Sequence, residues 1–356
     1  MYGNFKLGFG CMRLPKQGDA IDIPTLSKMV DAFFEGGGCY FDTAHLYHDG
    51  ASEIAVREAL TSRYPRDRYL LTDKLTQLCF NSEEEIVPLF ESQLAACGVE
   101  YFDFYLLHAM CRSYYEKFSA CNAFEVLKRL KAEGRIRHIG MSFHDSPEFL
   151  EWVLERHPEI ETVQLQFNYA DVENPDVESM KCYRICEKFG KPVIVMEPVK
   201  GGTLATLSEE GMQLLRSVTD GTPASFALRY CISFPQIKLV LSGMSAPDQM
   251  HDNLKTMAAA QPLSEAEHAV AQQLCDLIRK QSLIACTACR YCTDGCPQEI
   301  PIPDLFAAYN ARAMRRPYQA DAEAAGNCVE CGVCEGLCPQ HLEIRKLLKR
   351  VKNALT

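Results

Sequence analysis

Short apolar runs alternate with longer amphipathic stretches along residues 5–260. The short runs predict buried strands, and the stretches between them, where apolar residues recur at helical spacing, predict helices. Eight strands are predicted, at KLGFG (6–10), CYFDTA (39–44), YLLTDKL (69–75), DFYLLHA (103–109), HIGMSF (138–143), TVQLQFN (162–168), PVIVMEP (192–198) and KLVLSGM (238–244). Helices are predicted at segments such as TLSKMVDAFFEGGG, SEIAVREAL, EEEIVPLFESQLAACG and AFEVLKRLKAEG, several of which end in glycine or precede proline.

This alternation predicts an α/β fold, a (β/α)₈ TIM barrel, over residues 1–260. Eight strand–helix units in about 250 residues suit a closed barrel better than an open doubly wound sheet. A glycine fingerprint for dinucleotides does not follow the first strand, which also argues against the open sheet. Residues 261–284 predict one amphipathic linker helix with Ser264 at its N-cap, followed by a second, small domain at 285–356.

Two cysteine runs mark that second domain, CTACRYCTDGCP (286–297) and CVECGVCEGLCP (328–339). Both have the spacing C-x₂-C-x₂-C-x₃-C-P of ferredoxins with two [4Fe–4S] clusters, in which the fourth cysteine of each run ligates the other cluster. The predicted metal ligands are therefore one set of Cys286, Cys289, Cys292 and Cys338 and a second set of Cys328, Cys331, Cys334 and Cys296. A zinc site is the alternative, but four thiolates leave the third cysteine and the trailing Cys-Pro of each run unexplained. We expect a ferredoxin-like α+β domain that transfers electrons singly.

Composition limits the partners and the compartment. The chain has 356 residues, a formal net charge of −10 and 18 cysteines. The negative charge argues against nucleic acid and against an anionic membrane surface. Because the N-terminal sequence lacks a signal-peptide pattern and no long apolar stretch is present, we expect a cytoplasmic protein whose cysteines bind metal or are buried thiols.

Four polar residues lie where predicted strands end, at what should be the active-site face of a barrel. They are Asp42, Tyr47 just beyond it, Lys74 and His108. A tyrosine, with a usual pKa of about 10, becomes a better acid when a cation stabilises its phenolate. Lys74 could be that cation, Asp42 could hold the lysine and His108 could orient a carbonyl oxygen. Each residue alone would more often be structural, but four complementary groups at neighbouring strand ends favour catalysis.

The segments FDTAHLY, LLTDK and FYLLH resemble the Asp–Tyr–Lys–His tetrad of the aldo-keto reductase superfamily, and HIGMSF, VQLQFN, EPVKGG and LSGMSAPDQMHDN resemble its later segments in order. With the cysteine-rich tail, the chain resembles the bacterial and archaeal subgroup that has a C-terminal ferredoxin-type domain. The resemblance implies that Tyr47 donates a proton to a carbonyl oxygen while a nicotinamide gives hydride to its carbon. Lys74 and Asp42 would tune the tyrosine, and His108 would position a small carbonyl or alcohol substrate.

The resemblance also implies a nicotinamide site. Ser142 and Gln164 would face the nicotinamide amide, and Asn253 would lie near the adenine. The loops Lys200-Gly201-Gly202 and Ser242-Gly243 either bind a phosphate of NADH, NADPH or a flavin, or are tight turns that need glycine. Gly243 and Gln249 stand where NADPH-specific members carry lysine and arginine, so we do not expect recognition of a 2′-phosphate.

Hydride transfer moves two electrons together, whereas a [4Fe–4S] cluster moves one. Three functions are therefore compatible with the sequence. One is a reductase that uses NAD(P)H and exchanges electrons with its clusters through a flavin or a redox partner protein. The second is a flavin or radical oxidoreductase that no longer uses nicotinamide. The third is an electron carrier or redox sensor with a scaffold barrel. The complete tetrad favours an oxidoreductase.

Overall fold

The computed structural model describes residues 1–259, 261–281, 283–314, 316–319 and 321–355. Residues 260, 282, 315, 320 and 356, which fall within the predicted barrel, linker helix and cluster domain, lie outside the described residues.

The strands of the described residues are β1 (Leu7–Gly10), β2 (Lys16–Gln17), β3 (Ala20–Ile21), β4 (Tyr40–Asp42), β5 (Leu70–Leu75), β6 (Phe102–Met110), β7 (Ile136–Phe143), β8 (Thr162–Gln166), β9 (Val193–Met196) and β10 (Ile237–Gly243). The α-helices are α1 (Ile23–Glu35), α2 (Ala51–Val56), α3 (Glu83–Cys97), α4 (Arg112–Ala120), α5 (Ala123–Ala132), α6 (Pro147–Arg156), α7 (Ser179–Lys188), α8 (Glu209–Arg216), α9 (Pro223–Ile232), α10 (Pro247–Ala258), α11 (Glu265–Lys280), α12 (Tyr291–Asp294), α13 (Ile302–Ala313), α14 (Val333–Leu337) and α15 (Ile344–Leu355).

Eight parallel strands close into a barrel in the order β1-β10-β9-β8-β7-β6-β5-β4. Leu7 of β1 pairs with Val240 of β10, and Gly8 pairs with Tyr40 of β4, which closes the circle. The TIM barrel and all eight predicted strands are therefore confirmed. The hairpin of β2 and β3 was not predicted, because two exposed residues on each side of a glycine turn carry no apolar run.

Apolar side chains fill both layers of the barrel. One cluster of fully buried side chains fills the interior of the barrel and contains Tyr40, Phe104, Leu106, Ile194 and Leu239. A larger cluster lies between the strands and the surrounding helices. This packing is why the strand interiors read as apolar runs, whereas polar side chains occur near the carboxyl ends of the strands.

The linker helix α11 begins as predicted. The Ser264 side chain accepts a hydrogen bond from the Glu267 backbone N–H, and the Glu267 carboxylate accepts one from the Ser264 backbone N–H. This reciprocal pair is a capping box. Arg229 of α9 also donates to both carboxylate oxygens of Glu267, at 2.5 and 3.0 Å. Because Val270 and Leu274 are buried in the barrel core cluster, α11 packs on the barrel as well as leading to the next domain.

The cysteine-rich domain has its own core, in which Ile302, Phe306, Ile344, Leu348 and Val351 are buried. The tail helix α15 thus covers this core with the face that carries Ile344, Leu348 and Val351. The expected α+β character is not found: no strand occurs in the described residues from 261 onward. The physical reason is that the cysteine-bearing segments contain left-handed residues, among them Ala288, Arg290 and Glu330, which do not fit an extended ladder. None of the described helices has the length and apolar character to cross a membrane.

Candidate active site

The predicted tetrad comes together at the carboxyl ends of three neighbouring strands. Asp42 ends β4, Lys74 lies in β5 and His108 in β6, and Tyr47 opens the turn that follows β4. The Lys74 ammonium donates to Asp42 Oδ1 at 2.6 Å and to the Thr43 carbonyl at 2.6 Å. Both side chains of the ion pair are almost completely buried, at 0% and 4% exposure. The pair is therefore a fixed part of the site.

Tyr47 lies directly against this pair. The Lys74 Nζ is 4.7 Å from the centroid of its ring. Burial and the nearby Asp42 raise the pKa of Tyr47 well above its usual value, and Arg13 only partly opposes this shift. The Lys74 ammonium, which is engaged by Asp42 and by the Thr43 carbonyl, faces the ring, and its role in stabilising the phenolate stays a prediction. A tyrosine in this setting keeps its proton at neutral pH and can act as a proton donor.

His108 is held in its neutral form. Burial and the charge of Lys74 lower the pKa of His108 well below its usual value. Its Nδ1 lies 2.8 Å from the Thr76 hydroxyl. When Thr76 donates to Nδ1, Nε2 carries the proton and can donate to an oxygen in the cavity. Thr76 was not predicted, although its position at the end of the β5 segment was the available signal.

A cavity of about 360 Å³ opens above the tetrad. The predicted site residues that line it are Asp42, Tyr47, His108, Ser142, Gln164, Gly201, Gly202, Ser242, Gly243 and Asn253. Several of them are fixed by hydrogen bonds. The Ser142 hydroxyl accepts from the Ala109 N–H at 2.8 Å, Gln164 Nε2 donates to Asp42 Oδ2 at 3.1 Å, and Asn253 Nδ2 donates to the Ser242 hydroxyl at 3.0 Å.

Two predicted barrel residues, Lys74 and Lys200, do not line this cavity. Lys74 is buried in its ion pair with Asp42, and the Lys200 ammonium forms a buried ion pair with Asp171. The Gly201 N–H is also engaged, since it donates to Glu197 Oε2 at 2.6 Å. Of the three residues Lys200, Gly201 and Gly202, the two glycines line the cavity.

The charges of the lining are uneven. Arg13 is the one lysine or arginine among the described residues that line this first cavity. It lies beside Gly243 and Ser245, and its guanidinium is already paired with Glu197 at 3.0 Å. Gln249, Asp252 and Asn253, which also line the cavity, offer amides and a carboxylate.

The cysteine-rich domain forms one wall of the first cavity through Thr287, Cys289, Tyr291, Pro339 and Gln340. Several hydrogen bonds dock it on the barrel, among them those of Arg13 and Gln340. Arg13 donates to Glu197 Oε1 at 3.0 Å and to the carbonyl of Thr287. The amides of Gln166 and Gln340 bond each other in both directions, at 3.1 and 2.8 Å.

A second cavity of about 380 Å³ lies between the tetrad and the cysteine-rich domain. It shares five residues with the first cavity, namely His108, Ala109, His144, Tyr291 and Pro339. Tyr291 lies close enough to the tetrad that Tyr47, Lys74 and Asp42 all affect its pKa, which burial raises well above the usual value. Sequence analysis missed Tyr291, and its place between Cys289 and Cys292 was the only signal.

The structure brings each predicted cysteine set together. Burial raises the pKa of Cys292 to about 12, and the thiols that add to this shift are those of Cys289, Cys286 and Cys338. Burial likewise raises the pKa of Cys334, and there the contributing thiols are Cys328, Cys296 and Cys331. Within the described parts of the chain, no three His, Cys, Asp or Glu residues are grouped as for a single metal ion. Four thiolates stand farther apart around a cubane than around one ion, so the two sets fit [4Fe–4S] clusters.

Comparisons with known proteins agree with both halves of this description. The model of the aldo/keto reductase family matches residues 6–275, and that of the 4Fe-4S dicluster domain matches residues 285–342. The NADH-specific methylglyoxal reductase of Escherichia coli (strain K12) is 24% identical over 301 residues, which cover 70% of this chain and 88% of that protein. A probable aldo-keto reductase 1 of Glycine max is 27% identical over 208 residues, and the alignment spans 55% of this chain but only 56% of the soybean protein.

Solved structures show the same fold. The holo form of the aldo-keto reductase AKR11C1 from Bacillus halodurans is 27% identical and superposes with a TM-score of 0.63, covering 76% of this chain and 91% of that one. An aldo-keto reductase from Klebsiella pneumoniae in complex with NADPH, 22% identical, gives a TM-score of 0.62 over 76% of this chain and 90% of its own. The chain belongs to the aldo/keto reductase family and is an oxidoreductase that carries a C-terminal 4Fe-4S dicluster domain.

Proposed function

We propose that this protein reduces a small carbonyl compound, or oxidises the corresponding alcohol, and exchanges electrons with that site through two [4Fe–4S] clusters. One observation carries the proposal. The proton donor Tyr47 and the orienting His108 line the same cavity as Cys289, a predicted ligand of the first cluster. Acid–base chemistry and a one-electron centre therefore face one space.

The roles of the barrel residues follow from their contacts. Tyr47 gives its proton to the carbonyl oxygen, His108 donates to the same oxygen, and the Lys74–Asp42 pair stabilises the phenolate that forms. A nicotinamide bound along the first cavity would supply a hydride to the carbonyl carbon. Ser142, Gln164 and Asn253 are the residues that would hold it. NADH is favoured over NADPH because Arg13, the one lysine or arginine in the described lining, is already paired with Glu197. The NADH-specific relative from Escherichia coli supports this preference.

The cysteine sets provide the second electron route. A nicotinamide hydride carries two electrons and each cluster carries one, so exchange between them goes through a flavin, bound to this protein or to its redox partner, that can transfer electrons in both ways. The first set, Cys286, Cys289, Cys292 and Cys338, lies beside the cavities, so its cluster would exchange electrons with the site. The second set would exchange electrons with a soluble one-electron carrier protein of the ferredoxin class, the expected redox partner.

Anaerobically purified protein with both clusters provides the test. With NADH and a simple ketone, we expect turnover that Tyr47→Phe lowers at least about 100-fold, since a general acid contributes about 10²–10⁴. Iron content should not change. Tyr318→Phe, at a partly exposed tyrosine of the other domain, is the matched control and should retain the full rate.

Electron exchange is tested separately on the same sample. Clusters reduced with dithionite and freed of excess reductant should reoxidise when the ketone is added together with NAD⁺ and a catalytic amount of flavin mononucleotide, as followed by their visible absorbance and EPR signal; the same mixture without ketone is the control. Clusters that remain reduced would refute exchange with the site. Turnover that survives in Tyr47→Phe would refute the proposed proton donor.

A further inference from the structure

The second cavity is closed by both domains. The barrel contributes Leu46, Leu78 and Tyr114 to its wall, and the cluster domain contributes Tyr291 and Leu337. Its volume of about 380 Å³ lies within the range of about 300–1,000 Å³ that is usual for small-molecule sites. It is larger than a three-carbon aldehyde or ketone requires, and most of the surface that its wall presents to the cavity is apolar.

The charges of this wall disfavour anions. In the described lining there is no lysine or arginine side chain, while Asp49 and Glu335 are acidic. Glu335 is already paired with Arg345 at 2.7 Å. Two of the three histidines in the lining do not compensate, because burial lowers the pKa of His144 to about 4 and that of His108 well below its usual value; the third, His341, is exposed. A carboxylate or phosphate buried in this cavity would therefore have no lysine or arginine as its partner.

We propose that the second cavity is the substrate site and that it takes neutral, largely apolar carbonyl compounds with a ring, rather than 2-oxo acids or sugar phosphates. This proposal rests on the function proposed above and specifies its substrate class. Tyr114 and Tyr291 provide ring faces for such a molecule. His108 lines both cavities, and the centroid of its ring is 6.1 Å from that of Tyr47, so a carbonyl oxygen bound to His108 would lie toward Tyr47 in the first cavity.

Tyr291 links this site to the clusters. It is the shared wall of the two cavities and lies in the chain between Cys289 and Cys292. Cys338, a member of the same predicted ligand set, lines the second cavity. A substrate in this cavity therefore contacts the loops that hold the first cluster, and Tyr291 is a positioning residue between the two.

The test compares two ketones that differ in one charge, 2-acetylnaphthalene and 6-acetyl-2-naphthoate. Their dissociation constants are measured with the intact holoprotein, and kcat/KM is measured with NADH. We expect the neutral ketone to bind at least about 10-fold more tightly, because the wall offers no partner for the carboxylate. Equal or tighter binding of the naphthoate, or no binding of the neutral ketone, would overturn the proposal.

A charge variant checks the location. Leu78 lies at the rim of the cavity with 55% of its surface exposed, so a long side chain fits there without disturbing the core. Leu78→Arg should improve naphthoate binding about 10-fold, and Leu78→Gln should not, which separates the gain of charge from the loss of leucine. An unchanged naphthoate affinity in Leu78→Arg would place the site elsewhere. Tight binding of the neutral ketone without turnover would refute the proposed function and leave this site standing, whereas equal turnover of both ketones would refute the selectivity alone.

Discussion

At the scale of single residues, the Lys74–Asp42 ion pair is the feature on which both stability and catalysis depend. Both charges are buried, so removal of one leaves the other without its partner. Lys74→Met should therefore destabilise the barrel by about 3–5 kcal/mol. The single tryptophan, Trp152, lies in α6 of the barrel, so its fluorescence in urea reports barrel unfolding directly.

The double variant Lys74→Met, Asp42→Asn separates stability from catalysis. It removes both charges, and most of the lost stability should return because no ion remains buried alone. Carbonyl reduction should stay low in both variants, since neither contains a cation to stabilise the Tyr47 phenolate. Recovery of activity in the double variant would mean that the pair is only structural.

Two buried histidines make stability depend on pH. The pKa of His144 is lowered to about 4 by burial and by His341, and that of His108 is lowered well below its usual value by burial, Lys74 and His144. In the unfolded chain both should titrate near about 6.5. The unfolded state thus binds more protons between these values, so stability is complete above pH of about 6.5 and falls as the pH drops toward 4. The thermal midpoint over this range should show the decline, and His144→Gln should flatten it; an unchanged slope would contradict the assignment.

At the scale of elements, the loop after β9 determines how the cluster domain docks. Gly201 has a φ of +61°, and a Cβ there would lie 2.7 Å from Thr287 Cα. Gly202 has a φ of +97°, but a Cβ there would meet no atom within 4 Å. Alanine at either position incurs backbone strain of about 1–2 kcal/mol, while only Gly201→Ala also displaces the cluster loop.

This difference makes Gly202→Ala the matched control for Gly201→Ala. Limited proteolysis between the domains should be about 10-fold faster in Gly201→Ala than in wild-type protein, and cluster reoxidation by the ketone should slow. Gly202→Ala should match wild-type protein in both measurements. Equal effects in the two variants would show that strain in the loop, rather than contact with Thr287, is responsible.

The elements also show what the sequence can predict. A barrel strand buried on both faces must be an apolar run, so β1 and β4–β10 were recognisable. The hairpin of β2 and β3 has too few residues to produce a pattern. The strands expected in the cluster domain were inferred from the resemblance of its cysteine runs to ferredoxins. The segments between the cysteines instead contain residues with left-handed backbone, such as Ala288 and Glu330. Ser264 was found because a capping box is a local signal.

At the scale of the whole molecule, the site joins segments that are far apart in sequence. The tetrad could be predicted because its members end neighbouring strands, and a barrel brings strand ends together. Arg13 and Thr287 are 274 positions apart, and Gln166 and Gln340 are 174 apart. No local pattern encodes such pairs, which is why the second cavity and Tyr291 became visible only in the structure.

We predict that ligation of the two clusters is crossed, so that each cluster takes three cysteines from one run and the fourth from the other run. Cys338 belongs to the second run by sequence but lies with Cys286, Cys289 and Cys292 and lines the second cavity. Cys338→Ser should therefore remove the cluster beside the barrel, weaken binding of the neutral ketone and abolish cluster reoxidation by it. Cys296→Ser should remove the other cluster, lower iron content by about half and leave ketone binding intact.

Iron analysis, EPR spectra and ketone affinity of the two variants decide this point together. Cys79→Ser, at a partly buried cysteine outside both runs, controls for the exchange of sulfur for oxygen. Both variants should lose similar amounts of iron, so iron content alone does not distinguish them, but only Cys338→Ser should lose the ketone site. If Cys296→Ser weakened ketone binding and Cys338→Ser did not, each run would hold its own cluster. In that case the cluster beside Tyr291 would be ligated by the four cysteines of the first run.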